Sequence, residues 1–262
     1  MNEVRQLKQF HEEDNTFHSE TIIYFSQCSE RKTLSINDLL KLTSDTAVED
    51  YNSRGMSREV LAENGFAILV SRCSFRFHRL PRENERVEVA TREEKNESLQ
   101  FVRSYEISSL CPPSSKDKRG ESLISGLSTW ILIDLNTWRI LPMKRFTLRP
   151  PVELSKPHDC LPCAKIAVPE SAVLLDERKI RYSDIDGNGH TNNARYGAFI
   201  ADCLPEEYRA KDFTDFRINF SKEAVLGETL RLFADFNDEQ KKITLAGKTD
   251  GGTSFESELF YK

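Results

Sequence analysis

Acidic, amide, glycine and histidine side chains are concentrated in one short stretch, SDIDGNGHTNNARYGAFI, at residues 183–200. His190 can accept and return a proton near neutral pH. Asp186 and Asn188 can fix a substrate or a water by hydrogen bonds, and the two glycines let the backbone approach closely. The same residue types are also usual in a turn before a helix. The stretch by itself is therefore compatible with an active site or with a well-capped helix.

A helix is predicted to begin directly after this polar stretch. Thr191 or Asn192 can cap it, and apolar residues from Tyr196 onward recur at i, i+3, i+4 and i+7. The first turn of a helix presents unpaired N–H groups at the positive end of its dipole. Backbone N–H groups near Asn192 and Asn193 are therefore predicted to stabilise an oxyanion on a carbonyl under attack.

A second candidate is Glu223, which lies in INFSKEAVLG where an alternating strand ends. A glutamate at a strand end is most often only solvated. Its place in the chain, however, corresponds to a strand that should run beside the start of the helix. Glu223 is therefore a second candidate site residue near the start of the helix.

The same order of elements occurs twice along the chain. ETIIYFSQ, the helical pattern SINDLLKLTSDTAVEDYNSRG and four strand-like segments are followed by a second strand, helix and strand series. Ser35 can cap the first helix and Gly55 can end it. CSFRFHRLPRENERVEVATR and TDFRINFSKEAVLGETLRLFA match as strand, polar break and strand, and both are predicted to be hairpins. The pattern predicts an α+β fold of two similar modules, whose sheets could pair edge to edge.

Domain limits follow from this repeat. We predict an N-terminal domain over residues 1–150 and a C-terminal domain over residues 172–262. The proline-rich segment 151–171 is predicted to be an ordered linker that wraps from one half to the other. CPPSSKDKRGES is predicted to be an exposed loop. The loop before the first helix, SERKTLSIND, has no histidine, so the polar cluster of the second half exceeds what folding requires and favours an active site.

Composition and charge exclude several classes of protein. The 262 residues are 38% hydrophobic and carry a net charge of −5, which gives no footprint for nucleic-acid binding. No apolar run approaches the ~18–20 residues that span a bilayer, and the charged N-terminus lacks a signal-peptide pattern. We therefore predict no membrane span and a cytoplasmic location. The six cysteines include one CxxC, Cys160 to Cys163, without the second pair that zinc requires, so no metal is predicted.

DIDGNGHTNNARYGAFI resembles the Asp-x-Asn-x-His-x-Asn-Asn-x-x-Tyr signature of plant and bacterial acyl-ACP thioesterases, which are double-hotdog proteins. LVSRCSFRFHRLPRENERVEV, STWILIDLNTWRILP and FRINFSKEAVLGETL are similar to further segments of that family. The resemblance extends from about residue 20 to the end of the chain. It implies a tandem hotdog fold, in which each copy is a helix packed on a curved antiparallel sheet.

The resemblance also implies an activity: hydrolysis of the thioester between a fatty acyl chain and the phosphopantetheine arm of acyl carrier protein (ACP). Carried over by position, the catalytic residues are Asp186, Asn188, His190 and Glu223. The family often has a cysteine directly after that glutamate, whereas this chain has Ala224. An acyl-cysteine at this position is therefore excluded, and an activated water is expected, without a cofactor.

Residues that contact substrate are predicted as well. From the signature these are Asn192, Asn193 and Tyr196. A dry slot for the acyl chain is expected in the first half, because each buried methylene contributes about 0.8 kcal/mol. The candidate lining residues are Leu40, Ala47, Phe66, Ile68 and Val70.

The partner implied by the resemblance is ACP, an acidic protein that binds transiently. Its docking surface should therefore be basic, and KRFTLR and RKIR are the candidate segments. A monomer and a homodimer are both compatible with two halves that cover each other's sheet edges.

Other functions compete with this one. An acyl-CoA thioesterase, or a hydratase or dehydratase on acyl thioesters, could use the same fold. A non-catalytic sensor of acyl thioesters would usually carry a DNA-binding segment, which the short acidic N-terminus does not offer. Acyl chain length and saturation, the choice between ACP and CoA, and which of His190 and Glu223 is the general base are not encoded in these patterns.

Overall fold

The computed structural model describes residues 7–97, 99–110 and 120–262. Within these ranges the strands are β1 (Gln9–His11), β2 (Phe17–Ile22), β3 (Phe66–Phe77), β4 (Arg86–Glu94), β5 (Phe101–Ser109), β6 (Ser122–Asp134), β7 (Ile140–Leu141), β8 (Val173–Lys179), β9 (Phe213–Phe220), β10 (Thr229–Asn237), β11 (Lys242–Thr249) and β12 (Gly252–Tyr261). The α-helices are α1 (Ile36–Ser53), α2 (Arg58–Glu63), α3 (Asn193–Cys203) and α4 (Glu206–Arg209). Short 3-10 helices lie at Phe25–Gln27, Met143–Arg145 and Tyr182–Asp184.

All twelve strands belong to one antiparallel sheet. Its order is β1-β2-β4-β5-β6-β3-β9-β12-β11-β10-β8, with β7 paired to β6. Read from each edge inward, β2-β4-β5-β6-β3 in the first half has the same order as β8-β10-β11-β12-β9 in the second. The halves join where β3 pairs with β9, with Arg72 opposite Asn219 and Arg76 opposite Asp215. The predicted α+β composition and the edge-to-edge pairing are both present.

The two predicted hairpins are wrong. Strands β3 and β4 follow each other in the chain, yet β3 lies between β6 and β9, while β4 lies between β2 and β5. Strands β9 and β10 are likewise separated by β12 and β11. Both edges of β3 and of β9 are occupied where the halves join, so the next strand must pair elsewhere. A pattern of strand, break and strand does not encode which edge is free.

The long helix of the first half follows its sequence signals. The Ser35 side chain accepts a hydrogen bond from the N–H of Asp38 at 3.1 Å and caps α1. The helix ends before Gly55, whose φ of +74° favours glycine. ETIIYFSQ is a strand only as far as Ile22 and continues as a 3-10 helix. The short helices α2 and α4 were not predicted.

Helices α1 and α3 pack against each other, and Gly197 permits their close approach. A Cβ atom on Gly197 would lie 2.9 Å from the backbone nitrogen of Asn37 and 3.1 Å from its Cα. Those are backbone atoms, which cannot rotate away. The crossing of the two helices therefore requires the absence of a side chain at this position.

Two apolar clusters stabilise the fold. The larger core lies between the helices and the sheet and runs through both halves, since Phe75, Phe199 and Phe216 are each 0% exposed within it. The smaller cluster belongs to the first half. Its buried members are Met56, Leu61, Phe101, Leu132, Met143 and Phe146.

The segment between the halves crosses the face of the sheet opposite the larger core. The Ser74 hydroxyl on β3 donates to the carbonyl of Leu161 at 2.6 Å. The Asn219 amide on β9 donates to the carbonyl of Ala164 at 3.1 Å. The segment between the halves therefore contacts β3 of the first half and β9 of the second. The predicted loop CPPSSKDKRGES lies mostly outside the described residues, at 111–119.

Candidate active site

His190 and Glu223 are in contact. Nε2 of His190 lies 3.0 Å from Oε2 of Glu223, and the two side chains are 34% and 56% exposed. A short antiparallel bridge between His190 and Val225 brings the polar loop to the segment after β9. The two groups therefore touch directly, and a distance of 3.0 Å leaves no space between them for a water.

Thr191 holds the loop to this segment. Its backbone N–H and its hydroxyl both donate to the carbonyl of Ala224, each at 2.8 Å. Both residues are buried, and Ala224, in the position where the family often has a cysteine, is 0% exposed. Sequence reasoning considered Thr191 only as a helix cap. Its role as an anchor depends on contact with a segment more than thirty residues away, which a local pattern does not show.

Asp186 shapes the turn before His190. Its carboxylate accepts a hydrogen bond from the N–H of Asn188 at 2.8 Å, and its own N–H donates to the carbonyl of His190 at 2.9 Å. The N–H of Gly189 donates to the Asp186 carbonyl at 3.0 Å, and Gly189 has a φ of +84°. Asp186 therefore acts on the loop that presents the histidine.

Asn188 contacts the first half of the chain. Its Oδ1 accepts a hydrogen bond from Nη2 of Arg58 at 2.5 Å. Within the described ranges its side chain makes no hydrogen bond to His190 or Glu223. Sequence reasoning missed Arg58 because α2, which it opens, was not predicted. The first half thus contributes a cation to the site.

The two asparagines at the start of α3 differ in whether their backbone N–H groups are already hydrogen-bonded. The N–H of Asn192 donates to the carbonyl of Asp184 at 2.9 Å, and its side chain caps α3 by accepting from the N–H of Ala194. The prediction that the Asn192 N–H stabilises an oxyanion is therefore wrong, because that donor is occupied. The N–H of Asn193 forms no hydrogen bond to any residue that the structure describes.

Tyr196 lies in the core, which corrects its prediction as a substrate contact. It is 2% exposed, and its ring centre lies 4.9 Å from that of Phe255 and 5.9 Å from that of Phe199. Burial raises the pKa of its phenol, although hydrogen bonds from neighbouring groups lower it. The helical spacing that marked Tyr196 turns its ring into the core, against Phe255 of the sheet, with the phenol beside Thr191 and Ala224.

The predicted acyl-slot residues do not line one surface. Leu40 and Ala47 are each 5% exposed inside the larger core, and Val70 packs against that core. Phe66 and Ile68 pack instead against the smaller cluster. The five residues are thus divided between two apolar clusters, and the prediction of a single lining is corrected.

One arginine of each predicted basic segment is paired with a carboxylate of the same chain. The Arg149 guanidinium pairs with buried Glu93. Arg178 pairs with Asp202 at 3.0 Å and lies 3.7 Å from the ring centre of Phe199. The cations of the two segments that remain exposed are Lys144, Arg145, Lys179 and Arg181.

Metal-binding groups were searched among the described residues. No set of three or more His, Cys, Asp or Glu side chains there is arranged to hold a metal ion. Cys160 and Cys163 are free thiols, and burial raises the pKa of each to about 12. No helix in the described ranges is both long and apolar enough to cross a membrane.

A histidine in contact with a glutamate beside a large antiparallel sheet is an arrangement that can carry out acid–base catalysis. Family comparisons give the particular kind of enzyme. The acyl-ACP thioesterase N-terminal domain matches residues 14–147, and the acyl-ACP thioesterase C-terminal domain matches residues 169–254. The chain belongs to the acyl-ACP thioesterase family and is a thioester hydrolase that acts on acyl-ACP.

Solved structures show the same fold over nearly the whole chain. An acyl-ACP thioesterase from Bacteroides thetaiotaomicron has a TM-score of 0.83 at 22% identity, over 94% of this chain and 97% of that one. A protein described as an oleoyl thioesterase from Lactobacillus plantarum has a TM-score of 0.77 at 20% identity, over 93% and 94%. The 12:0-ACP thioesterase from Umbellularia californica has a TM-score of 0.75 at 15% identity, over 94% and 97%. Comparison with curated protein sequences found no match.

Proposed function

We propose that the protein releases fatty acids from acyl-ACP through a water activated by His190 and Glu223, on a tandem hotdog fold. The observation that carries this proposal is the 3.0 Å contact between Nε2 of His190 and Oε2 of Glu223. The repeated strand order, with one long helix in each half, supports the tandem fold. The matched family domains, 14–147 and 169–254, support a division close to the predicted limits of 1–150 and 172–262.

The protonation of the pair follows from its contact. An unprotonated nitrogen facing a carboxylate oxygen at 3.0 Å would bring two lone pairs together. A proton on Nε2 is therefore favoured, and in the neutral imidazole the lone pair then lies on Nδ1. Glu223 thus orients His190, and His190 is the general base of this proposal.

The proposed reaction then involves two proton transfers, in which His190 first takes a proton and later returns it. Nδ1 of His190 takes a proton from a water as its oxygen bonds to the thioester carbonyl carbon. The tetrahedral intermediate collapses, the carbon–sulfur bond breaks, and the imidazolium returns the proton to the departing sulfur. Glu223 stabilises the imidazolium between the two transfers. The products are a free fatty acid and the thiol of the phosphopantetheine arm, and the residues of this chain suffice without a cofactor.

The oxyanion of the tetrahedral intermediate needs a hydrogen-bond donor to stabilise it. The N–H of Asn193 is the candidate, because it is unengaged among the described residues and lies at the positive end of α3. Asn188, held by Arg58 and by the Asp186 turn, positions the carbonyl or the water. Loss of one oxyanion donor typically costs on the order of a hundredfold in rate or more.

The carrier protein is proposed to dock on the exposed cations near the site. ACP is expected to be acidic, so its binding should weaken with added salt, whereas a small thioester should not respond. Lys179 and Arg181 are the better candidates of the two segments, because they directly precede the 3-10 helix that leads into the catalytic loop.

The test is hydrolysis of acyl-ACP by the full chain, with free fatty acid and free thiol measured together. We expect His190→Ala and Glu223→Gln each to reduce kcat by on the order of a hundredfold or more. Thr33→Ala is the matched control, because Thr33 lies at the corresponding point of the first-half loop. If His190→Ala kept the parent rate while folded, the assignment of the base would be wrong.

The same assay separates the competing functions. An acyl-CoA thioesterase would prefer CoA esters to ACP esters of the same acyl chain. A hydratase or dehydratase would change the acyl chain without release of thiol, and a sensor would bind without turnover. Equal amounts of thiol and fatty acid from acyl-ACP are the result expected here.

A further inference from the structure

An exposed tryptophan lies at the tip of the hairpin between β6 and β7. The N–H of Trp138 donates to the carbonyl of Asp134 at 2.7 Å, and the N–H of Asp134 donates to the carbonyl of Arg139 at 3.0 Å. The Trp138 side chain is 70% exposed, and its neighbour Ile140 is 51% exposed. Two large apolar side chains so close together form an exposed patch rather than a single scattered residue, and such patches mark interaction surfaces.

The backbone at Trp138 shows that the fold itself does not favour a tryptophan there. Its φ of +56° lies in the left-handed region. In hairpin loops glycine or asparagine usually takes this conformation, because a bulky side chain is strained in it. Most of the ring is in solvent, so burial does not compensate for the strain. A strained and exposed ring indicates a role outside the packing of the protein.

Cations accompany the exposed ring. Arg139, Lys144 and Arg145 are all exposed, and residues 135–152 contain neither aspartate nor glutamate. Within the part of the chain that the structure describes, none of these three cations forms an ion pair. The carboxylate of Asp134, at the base of the hairpin, accepts backbone N–H groups of the turn, and these bonds, with a smaller effect of Arg145, lower its pKa. The segment is therefore positively charged on its outer side.

The inner side of this segment is anchored in the first half. Leu141 packs against the smaller cluster, and Met143 and Phe146 are buried members of it. The apolar residues that packing uses are thus turned inward, and the exposed side chains are presented on a fixed backbone. The exposed residues, named here the Trp138 patch, are Trp138, Arg139, Ile140, Lys144 and Arg145.

The Trp138 patch lies at the same end of the sheet as the pair of His190 and Glu223. Strand β3 begins at Phe66, which is opposite Asp134 just before the hairpin. Strand β9 runs antiparallel to β3, so the chain beyond β9 continues toward the start of β3 and reaches Glu223. The product of the proposed reaction, a free fatty acid, is more stable in a bilayer than in water. This last argument alone rests on the proposed function.

We infer that the Trp138 patch binds the surface of a lipid bilayer that contains anionic lipids. A tryptophan ring suits the boundary between headgroups and acyl chains, because its body is apolar and its N–H can donate to a headgroup or water. Lysine and arginine side chains are attracted to anionic headgroups, and each strengthens binding about fivefold. An acidic protein surface would satisfy the same cations but would leave the ring and Ile140 in water, so a bilayer is favoured.

The test is co-sedimentation of the full chain with vesicles of phosphatidylcholine and phosphatidylglycerol in equal parts, compared with vesicles of phosphatidylcholine alone. We expect binding to the anionic vesicles that weakens with added salt, and weaker binding to the neutral ones. Absence of binding to both kinds of vesicle would overturn the inference.

Fluorescence reports whether the ring itself enters the bilayer. The chain has two tryptophans, and Trp130 is half-buried in β6. The difference in emission between the parent protein and Trp138→Gly therefore belongs to Trp138. We expect this emission to move to shorter wavelength when anionic vesicles are added, because the ring leaves water. An unchanged emission in vesicle-bound protein would show that Trp138 is not inserted and would overturn the inference.

The variant Trp138→Gly separates a binding role from a structural one. Glycine adopts a φ of +56° without strain, so resistance to denaturant should be unchanged or higher. Binding to anionic vesicles should fall about tenfold or more, because the buried area of the ring is lost. Phe25→Ala is the matched control, since Phe25 is 75% exposed at the other end of the sheet, beyond Ile22. A loss of stability in Trp138→Gly would assign the ring to the fold and contradict the inference.

The cations are tested by Lys144→Gln/Arg145→Gln. Binding to anionic vesicles should fall about 25-fold, with little change on neutral vesicles. The matched control, Lys241→Gln/Lys262→Gln, makes the same change of net charge at exposed positions of the second half and should keep binding. Equal losses in the two double variants would show an effect of net charge alone and refute a specific patch.

Other partners would give different results. If Lys144→Gln/Arg145→Gln raised the KM for acyl-ACP while vesicle binding stayed unchanged, the patch would be a docking surface for the carrier protein. If Trp138→Gly converted a dimer into a monomer, the patch would join two copies of the chain. Either result overturns the inference. Failure of the proposed function would appear separately, as the absence of thiol release from acyl-ACP without vesicles.

Discussion

The loops that precede the two long helices share a backbone and differ in side chains. In the first half the N–H of Ser29 donates to the carbonyl of Thr33 at 2.9 Å. In the second half the N–H of Asp186 donates to the carbonyl of His190, also at 2.9 Å. By this correspondence Thr33 occupies the position of His190. The duplicated loop is therefore a scaffold that does not by itself require a histidine.

The facing segments correspond as well. The N–H of Leu34 donates to the carbonyl of Pro81 at 2.9 Å, as the N–H of Thr191 donates to that of Ala224 at 2.8 Å. Counting back one residue from Pro81 places Leu80 at the position of Glu223. The first half thus has a threonine and a leucine where the second has its acid–base pair. The comparison shows that, of these two corresponding loops, only the second places a histidine against a carboxylate, which are residue types able to transfer a proton.

Cations surround the first-half position that corresponds to His190. A shallow depression of about 310 Å³ there is lined by Arg31, Lys32, Thr33, Arg82, Glu83 and Asn84. Arg31 pairs with Asp212 of the second half at 2.6 Å, as Asn188 pairs with Arg58 of the first. Each loop therefore also fastens one half to the other.

The largest effect is expected when the second-half pair is converted to the first-half residues. His190→Thr/Glu223→Leu removes the base and its carboxylate, so kcat on acyl-ACP should fall by about 10²–10⁴-fold. Steady-state kinetics checks this, and circular dichroism confirms the fold. The control, Thr33→Ala, should keep parent activity. Retention of full activity in the double variant would place the chemistry elsewhere.

The helix crossing offers the next effect in size. Gly197→Ala places a methyl group 2.9 Å from the backbone of Asn37, so unfolding free energy should fall by up to about 3 kcal/mol. Denaturant unfolding measures this change in the free energy of unfolding. Gly187→Ala is the matched control, since a Cβ there meets no atom within 4 Å. Equal stability of the two variants would contradict the role of Gly197 in packing.

Corresponding glutamates of the two halves differ in their hydrogen-bond partners, and those of Glu85 make its contribution to stability depend on pH. Glu85 and Glu228 accept hydrogen bonds from the N–H groups of Arg82 and Val225, but only Glu85 also binds Arg79. That arginine, with Ser109 and a backbone N–H, outweighs burial and lowers the pKa of Glu85 from 4.5 to about 2.

A lowered pKa in the folded state contributes stability above about pH 4.5, and this contribution is lost as the pH falls toward about 2. Glu85→Gln should therefore cost about 2 kcal/mol at pH 7 and much less near pH 3. Thermal unfolding at both pH values checks the difference. A cost of Glu85→Gln that is the same at the two pH values would refute this account.

The smallest effect concerns the contact between the halves at the site. Arg58→Ala and Asn188→Ala each remove one hydrogen bond between exposed groups, worth about 1 kcal/mol. Each should lower kcat/KM by up to about tenfold, and the double variant should be no worse than the single ones. Full additivity in this double-mutant cycle would show that the two residues act separately.

Caps, periodicity and alternation predicted most helices and strands, because secondary structure depends largely on residues that are close in sequence. The span of α1 followed from the Ser35 cap, the periodic apolar residues and Gly55. Strands from β3 to β6 and from β9 to β12 followed from alternation. The pairing of the strands did not follow from the sequence, since the pattern of β3 and β4 predicts a hairpin and the two strands are separated in the sheet. Helix α2 was not predicted because its six residues are too few to show the helical repeat of apolar side chains.

The sequence by itself predicted an acid–base role for His190 and Glu223, because their residue types and positions match the family pattern. Only the tertiary structure decided that they touch, that Asn192 has no free N–H and that Tyr196 is buried. Side-chain type limits what chemistry is possible. Contact, burial and the occupation of each donor depend on segments distant in sequence, which meet only when the sheet has formed.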